Sequence, residues 1–426
     1  MTLFWNTLEL KQMHIELTNA CNAACPMCVR FHCNSPLTRP DLEIGQITID
    51  KFKKYFPVEV LQNCELIMFC GVHGDPCVAR DMLEICEYID EVSPQTAIRV
   101  NTNGGMRKPE WWSKLGKLFE KHRRTATNFN WWSVTFSIDG LEDTNHLYRR
   151  NVEWKKLTAN AQAFIDGGGT AIWDFLIFRH NEHQLDHALE TSKQMGFAEF
   201  IPKKALGVDD GTRLEKMPVL NKNGELDYVI EAPTDPKNRN LENPQGEKEL
   251  KFYPFTPDGY RYLKDNASKD NYKSTYIKVY DDKISKEDRE YVKDCDIKCK
   301  SKTWSGNKEI FVDNFGRVLP CCYVGTHLNG TYGSTPSLQL HYHMDNYGWD
   351  NFSLEKHSLY EIISAGHLDR VFADSWTKGS AKDGKMIYCA DTCGTRSSID
   401  KIFTHESNNK ADELERKKRE RENVQS

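Results

Sequence analysis

The chain has 426 residues, 39% of them hydrophobic and 28% charged, and a net charge of −5. That is more than one average domain, with enough apolar content for a real core. The mild acidity gives no sign of a nucleic-acid partner, no apolar run is long enough to span a bilayer, and the first residues lack the basic and apolar regions of a signal peptide. The expectation is a cytoplasmic protein with neither nucleic acid nor membrane as partner.

Apolar alternation marks a first strand at Met13, Ile15 and Leu17, and an apolar run over residues 66–71 a second. Ile98 and Val100 lead to Asn101-Thr102-Asn103-Gly104. Val134, Phe136 and Ile138 lead to Asp139-Gly140. Residues 172–178 and 199–205 read as a fifth and a sixth strand. Helical faces lie between them. One carries Met82, Leu83, Cys86 and Ile89. Another carries Trp154, Leu157, Ala161 and Ile165, stopped by Gly167-Gly168-Gly169. A third carries Leu185, Leu189 and Met195, with Gly196 as C-cap. Strand–helix alternation predicts a parallel sheet with helical crossovers, an α/β partial (β/α)6 TIM-like barrel over residues 10–205, with chemistry after the strand C-termini.

Residues 206–294 read as a polar insertion or linker, because 221–251 are rich in Asn, Asp, Glu, Lys and Pro. Residues 295–395 form a second cysteine-bearing unit, a small α+β domain. It opens with a hairpin around Gly316 that would present Cys321, and continues with a helical pattern over 358–376. Residues 396–426 are a charged tail.

Fourteen cysteines are many for such a chain. They cluster by spacing, and the chain is too long to need disulfide staples, so a thiolate metalloprotein of a reducing compartment is the better reading. Cys21-Asn-Ala-Ala-Cys25-Pro-Met-Cys28 directly follows the first strand. Closely spaced thiolates let one loop wrap one iron–sulfur cluster, and three ligands leave a fourth iron open, as a catalytic site requires. Zinc is the alternative, with His32 or Cys33 as fourth ligand. A second set, Cys299, Cys321, Cys389 and Cys393, could close around one cluster or one zinc ion. Cys295 and Cys322 are credible substitutes, and a purely structural role is an alternative. Cys64, Cys70, Cys77 and Cys86 read as buried small hydrophobes. His341 and His343, in a Tyr-rich loop, read as ordinary histidines, and His73 as either a proton-transfer group or a turn former.

Cys-x3-Cys-x2-Cys after a first strand resembles the signature of the radical S-adenosylmethionine (SAM) superfamily. The resemblance covers residues 11–205 and assigns Cys21, Cys25 and Cys28 as cluster ligands and the catalytic centre. Gly74-Asp75-Pro76 resembles the Gly-Glu-Pro element that receives the SAM amino group. Asn103 lies in a stretch similar to the third-strand Thr-Asn-Gly. Ser137 and Asp139 resemble the fourth-strand motif that approaches SAM, and Arg149 and Arg150 a basic pair of which one meets the SAM carboxylate. Asn181 occupies a position often polar in the family. Met27 stands where the family usually has an aromatic against adenine, and Asp75 where Glu is commoner.

The C-terminal layout resembles a SPASM/twitch extension, closer to twitch, which implies one auxiliary [4Fe-4S] cluster on Cys299, Cys321, Cys389 and Cys393. The implied chemistry is reductive cleavage of SAM to methionine and a 5′-deoxyadenosyl radical, which takes hydrogen from a substrate. A flavodoxin or ferredoxin would be the electron donor. The implied substrates are peptide or protein side chains, slightly preferred, or small molecules such as aminosugars and nucleosides. A non-enzymatic zinc- or iron–sulfur-binding protein is the reading from another class.

Overall fold

The computed structural model describes residues 3–31, 35–39, 42–123, 131–205, 216–239, 292–293, 295–299, 301, 308–328, 335–381 and 383–394. His32 and Cys33, most of the 206–294 insertion and the 396–426 tail lie outside them.

Six strands form where the alternation places them: β1 (Leu10–Ile15), β2 (Leu66–Phe69), β3 (Ala97–Thr102), β4 (Ser133–Ser137), β5 (Ala171–Ile177) and β6 (Glu199–Lys204). Neighbours pair in parallel throughout. Parallel pairing requires a crossover after each strand. These are α1 (Ile49–Tyr55) with α2 (Val58–Asn63), α3 (Met82–Val92), α4 (Pro109–Glu120), α5 (Asn145–Tyr148) with α6 (Trp154–Asp166), and α7 (Leu185–Met195). α7 ends on Gly196 in the left-handed region, φ 88°, as its sequence predicts.

The two sheet faces differ. Met13, Ile15, Ile67, Phe69, Ile98, Val100, Val134, Phe136, Trp173 and Phe175 are buried on one face. Helix side chains pack there, as Trp112 does on Phe136 at 5.2 Å and Phe52 on Phe69 at 6.3 Å between ring centroids. The alternate positions carry Gln12, His14, Arg99, Asn101, Asp174 and Lys203 beside Leu66, Met68, Leu176 and Phe311, so the opposite face is mixed and holds most of the sheet's polar side chains. Period-two alternation thus gives most of these strands an apolar side for the core and polar groups on the other; β2, Leu-Ile-Met-Phe, is apolar on both.

The C-terminal unit does not stand apart. Its hairpin, β9 (Lys308–Val312) and β10 (Val318–Leu319), extends the barrel sheet, giving the order β10-β9-β1-β2-β3-β4-β5-β6. β9 runs parallel to β1, and its Glu309 reaches the mixed face, where Gln12 Nε2 donates to Glu309 Oε2 at 2.5 Å. Among the described residues the order is linear, with β10 and β6 at its two ends.

Helices α8 (Cys322–Leu328), α9 (Thr335–Tyr347), α10 (Leu359–Ser364), α11 (Asp374–Trp376) and α12 (Ile387–Cys393) complete the unit. The single helix expected over 358–376 is broken. α10 begins at a Ser358–Glu361 capping box and ends before Gly366, whose φ is 71°, and a π-helical turn, Asp369–Ala373, precedes α11. His341 and His343 lie on α9 instead of in a loop. Within the described part of the insertion, β7 (Lys216–Leu220) and β8 (Leu226–Glu231) pair as an antiparallel hairpin. Among the described residues, no helix is long and apolar enough to cross a membrane.

Candidate functional site

The loop after β1 is fixed before its first cysteine. Asn19, fully buried, donates through Nδ2 to the Glu43 carbonyl at 2.6 Å and accepts from the Gly45 N–H at 2.9 Å, while Arg30 donates to the Asn19 carbonyl. The Cys28 N–H then bonds the Cys25 carbonyl at 3.0 Å, and the Phe31 N–H bonds the Cys28 carbonyl at 3.0 Å. This turn brings Cys25 and Cys28 round towards Cys21. Burial pushes the Cys28 thiol up to about 12, and raises Cys21 and Cys25 as well. Such thiols hold their protons until a metal displaces them.

Two donors reach the sulfurs. Asn103 Nδ2, at the end of β3, lies 3.6 Å from Cys21 Sγ and 3.0 Å from Asn22 Oδ1. Arg149 Nη1 lies 3.7 Å from Cys25 Sγ. Arg149 Nε also donates to Asp139 Oδ2 at 2.5 Å, and Asp139 Oδ1 accepts the Leu176 N–H at 2.6 Å. Asp139 is fully buried; burial pushes its carboxyl up, and the Arg149 guanidinium opposes that shift. Arg150 turns the other way, donating to the Leu220 carbonyl at 3.0 Å and to Asp227 Oδ2 at 3.2 Å. The Arg150 side chain is therefore tied to the β7–β8 hairpin while its carbonyl accepts the Ala24 N–H of the cysteine loop at 2.9 Å, and it is the Arg149 guanidinium that reaches a loop sulfur.

The segment after β2 lies across the same loop. The Asp75 N–H donates to the Ala20 carbonyl at 2.9 Å. The Asp75 carboxylate is taken up locally, accepting from the Asn103 N–H at 2.8 Å, the Cys77 N–H at 2.9 Å and the Thr102 hydroxyl at 2.9 Å. It holds the ends of β2 and β3 together, and Pro76 starts the 3₁₀ turn Pro76–Val78 beneath it. The expected contact of the Asp75 carboxylate with the SAM amino group would compete with three bonds already made. Glu16, 1% exposed, accepts the His73 and Gly74 N–H groups at 2.6 and 3.1 Å. A Cβ on Gly74 would stand 1.9 Å from the Thr18 carbonyl oxygen. Gly74→Ala should cost about 1–3 kcal/mol, because the clash is with backbone and cannot be relieved by a rotamer. Denaturant unfolding checks this, and an unchanged midpoint contradicts the close approach. Met27 and Ser137 are half-buried, Met27 on the loop and Ser137 at the end of β4.

The second cysteine set also converges. Cys299, Cys321, Cys389 and Cys393 line one pocket with Ile297, Pro320, Val324, Trp376, Tyr388 and Thr392. Cys389 and Cys393 are one helical turn apart on α12, which puts both on one face. Cys299 and Cys393 hydrogen-bond through their thiols, which with burial pushes Cys299 far up. Burial also raises Cys389, to about 12. Neither substitute, Cys295 nor Cys322, lines the pocket. Cys295 is buried among Val292, Ile297, Ala381, Ile387 and Ala390, and Cys322 is raised by burial and by the charges of Glu309 and Cys70. The described cysteines are all free thiols, and among the described residues no three His, Cys, Asp or Glu side chains are gathered for a single metal ion.

The sequence reading passed over Asn19, Asn22, Glu16 and Asn145, whose Oδ1 accepts the Asp139 N–H at 2.9 Å. These residues shape loops, and nothing in their spacing signals it.

A parallel sheet with a three-cysteine loop at the C-terminal end of β1 is now in view. Comparison with solved structures returns distant similarities. Among solved structures, anSMEcpe with bound AdoMet is 15% identical, covering 93% of this chain and 93% of that one, with a TM-score of 0.43. Streptococcus suis SuiB bound to S-adenosylmethionine is 11% identical over 74% of this chain and 60% of its own length, TM-score 0.39. BtrN in complex with AdoMet and 2-DOIA is 18% identical over 30% and 45%, TM-score 0.23. The chain thus spans 60% of the length of SuiB. No protein-family model and no curated protein matches the chain. Of the residues singled out in the sequence, Cys21, Cys25, Cys28, Asn103, Asp139 and Arg149 come together, and Arg150 joins them through its backbone only.

Proposed function

We propose that the chain is a radical SAM enzyme with a [4Fe-4S] cluster on Cys21, Cys25 and Cys28 and one auxiliary [4Fe-4S] cluster on Cys299, Cys321, Cys389 and Cys393. The carrying observation is the first loop: three free thiols in one turn, with Asn103 and the Asp139-held Arg149 donating to two of the sulfurs. The residues fit such a cluster. Thiolates are its usual ligands, and hydrogen bonds to those sulfurs are part of how proteins tune it.

The cluster, with an iron left open for SAM, would supply one-electron cleavage of the sulfonium bond, leaving the 5′-deoxyadenosyl radical to take a substrate hydrogen. The protein binds and orients. The Gly74 backbone lies against Thr18 and Asn19 and so holds the segment after β2 close to the cysteine loop. Met27 would pack on adenine, Asn103, Ser137 and Asp139 would offer polar contacts, and Arg149 a cation. Asp75 and Pro76 would act mainly by holding the β2 and β3 ends in place. The opposite sheet face, with the Asp174–Lys203 ion pair and the Gln12–Glu309 hydrogen bond, would receive the substrate.

SuiB has been solved with its precursor peptide SuiA, and anSMEcpe with a Cp18Cys peptide. For this chain we take a peptide or protein side chain as the substrate class to assay first, and aminosugars or nucleosides second. A flavodoxin or ferredoxin would supply the electron.

Cys389→Ala tests the second cluster. Iron should fall from about eight to about four per chain, four for each cluster, while 5′-deoxyadenosine is still formed in the absence of substrate. Unchanged iron would remove the auxiliary cluster from the proposal.

A further inference from the structure

We propose that Arg149 is a positioning residue that raises the reduction potential of the N-terminal cluster by donating a charged hydrogen bond to the Cys25 sulfur. This rests on the cluster assignment above and adds a role distinct from contact with the SAM carboxylate.

Arg149 is held from several sides. Its backbone N–H donates to the Asn145 carbonyl at 2.8 Å, closing α5, and its guanidinium lies over the Tyr148 ring at 5.3 Å. Nε is committed to Asp139 Oδ2, and Asp139 is in turn fixed by the Leu176 and Asn145 bonds. The side chain is only 17% exposed. With Nε and the ring both engaged, Nη1 stands 3.7 Å from Cys25 Sγ. The corresponding donor to Cys21 is the neutral amide of Asn103. Cys25 is therefore the ligand that receives a full positive charge, since guanidinium stays protonated at any working pH.

The sign follows from charge. Reduction adds one negative charge to the cluster and its thiolates. A fixed cation a hydrogen bond away stabilises the reduced form more than the oxidised form. It does so strongly in a buried site, where water screens little. Hydrogen bonds to cluster sulfurs are an established control on potential. Asp139 offsets part of the charge, but it lies on the far side of the guanidinium, bonded through Nε instead of Nη1.

The test is a potentiometric titration followed by electron paramagnetic resonance, on the full-length reconstituted protein without SAM. Signals that survive in Cys389→Ala protein are assigned to the N-terminal cluster. At the potential that half-reduces this cluster in the wild type, Arg149→Gln should lower the ratio of reduced to oxidised cluster tenfold or more. That equals a 59 mV shift for a one-electron couple. Arg149→Lys keeps the charge but loses the fork, and should shift less. If the Gln variant takes up no iron, the Lys variant carries the comparison, and a downward shift still supports the proposal. An unchanged potential, with only SAM affinity reduced, would overturn it. Failure of the wild type to take iron on the N-terminal loop would instead remove the cluster assignment itself.

Discussion

Cys25→Ala should abolish 5′-deoxyadenosine formation and lower iron from about eight to about four per chain, four for each cluster. Cys25 is the most buried of the three loop thiols, and its carbonyl also closes the turn that carries Cys28. Removing its sulfur leaves two ligands where three are needed and strips Arg149 Nη1 of its sulfur acceptor, Nε keeping Asp139. The C-terminal cysteines line a separate pocket, so their iron should remain. Unchanged SAM cleavage in this variant would contradict the catalytic assignment. Loss of all iron would mean that the two sites do not load independently.

Asp139→Ala should destabilise the fold by about 3–5 kcal/mol, the cost of leaving a buried charge without its partner. Asp139 is fully buried, and it answers both Arg149 and the Leu176 N–H, so one deletion orphans a cation and a backbone donor. The control is Asp227→Ala, which removes the partner of Arg150. That carboxylate is 43% exposed, and such a pair is worth about 0–1 kcal/mol. Urea unfolding of both variants gives the comparison. Equal losses would mean that the Asp139–Arg149 pair is no more than a surface contact.

The barrel half of the molecule was readable because most of its strands alternate apolar and polar residues, and each is followed by an amphipathic helix and a stop. Gly196 after α7 is a clear instance. The cysteine loop was readable because its spacing is local. What escaped depends on partners far apart in sequence. That β9 would pair with β1, some three hundred residues earlier, is not written in either segment. The β7–β8 hairpin lay in a stretch judged by its polarity, although Asn223-Gly224 is a turn signal. Eight of the thirteen residues of α9 are Thr, Ser, His, Tyr, Asp or Asn, of middling helix propensity, which hides its period. Arg149 and Arg150 are adjacent and chemically alike. Only the fold shows that one meets Asp139 and Cys25 while the other meets the hairpin. Asp75 shows the same limit, since its place beside Gly74 was evident but the three local bonds to its carboxylate were not.

The most direct test of the central claim is to purify the chain without oxygen, reconstitute it with iron and sulfide, reduce it with dithionite, add SAM, and quantify 5′-deoxyadenosine alongside iron. The account predicts 5′-deoxyadenosine from a protein carrying about eight irons, two four-iron clusters. No cleavage, with zinc bound in place of iron, would contradict it and leave the cysteines structural.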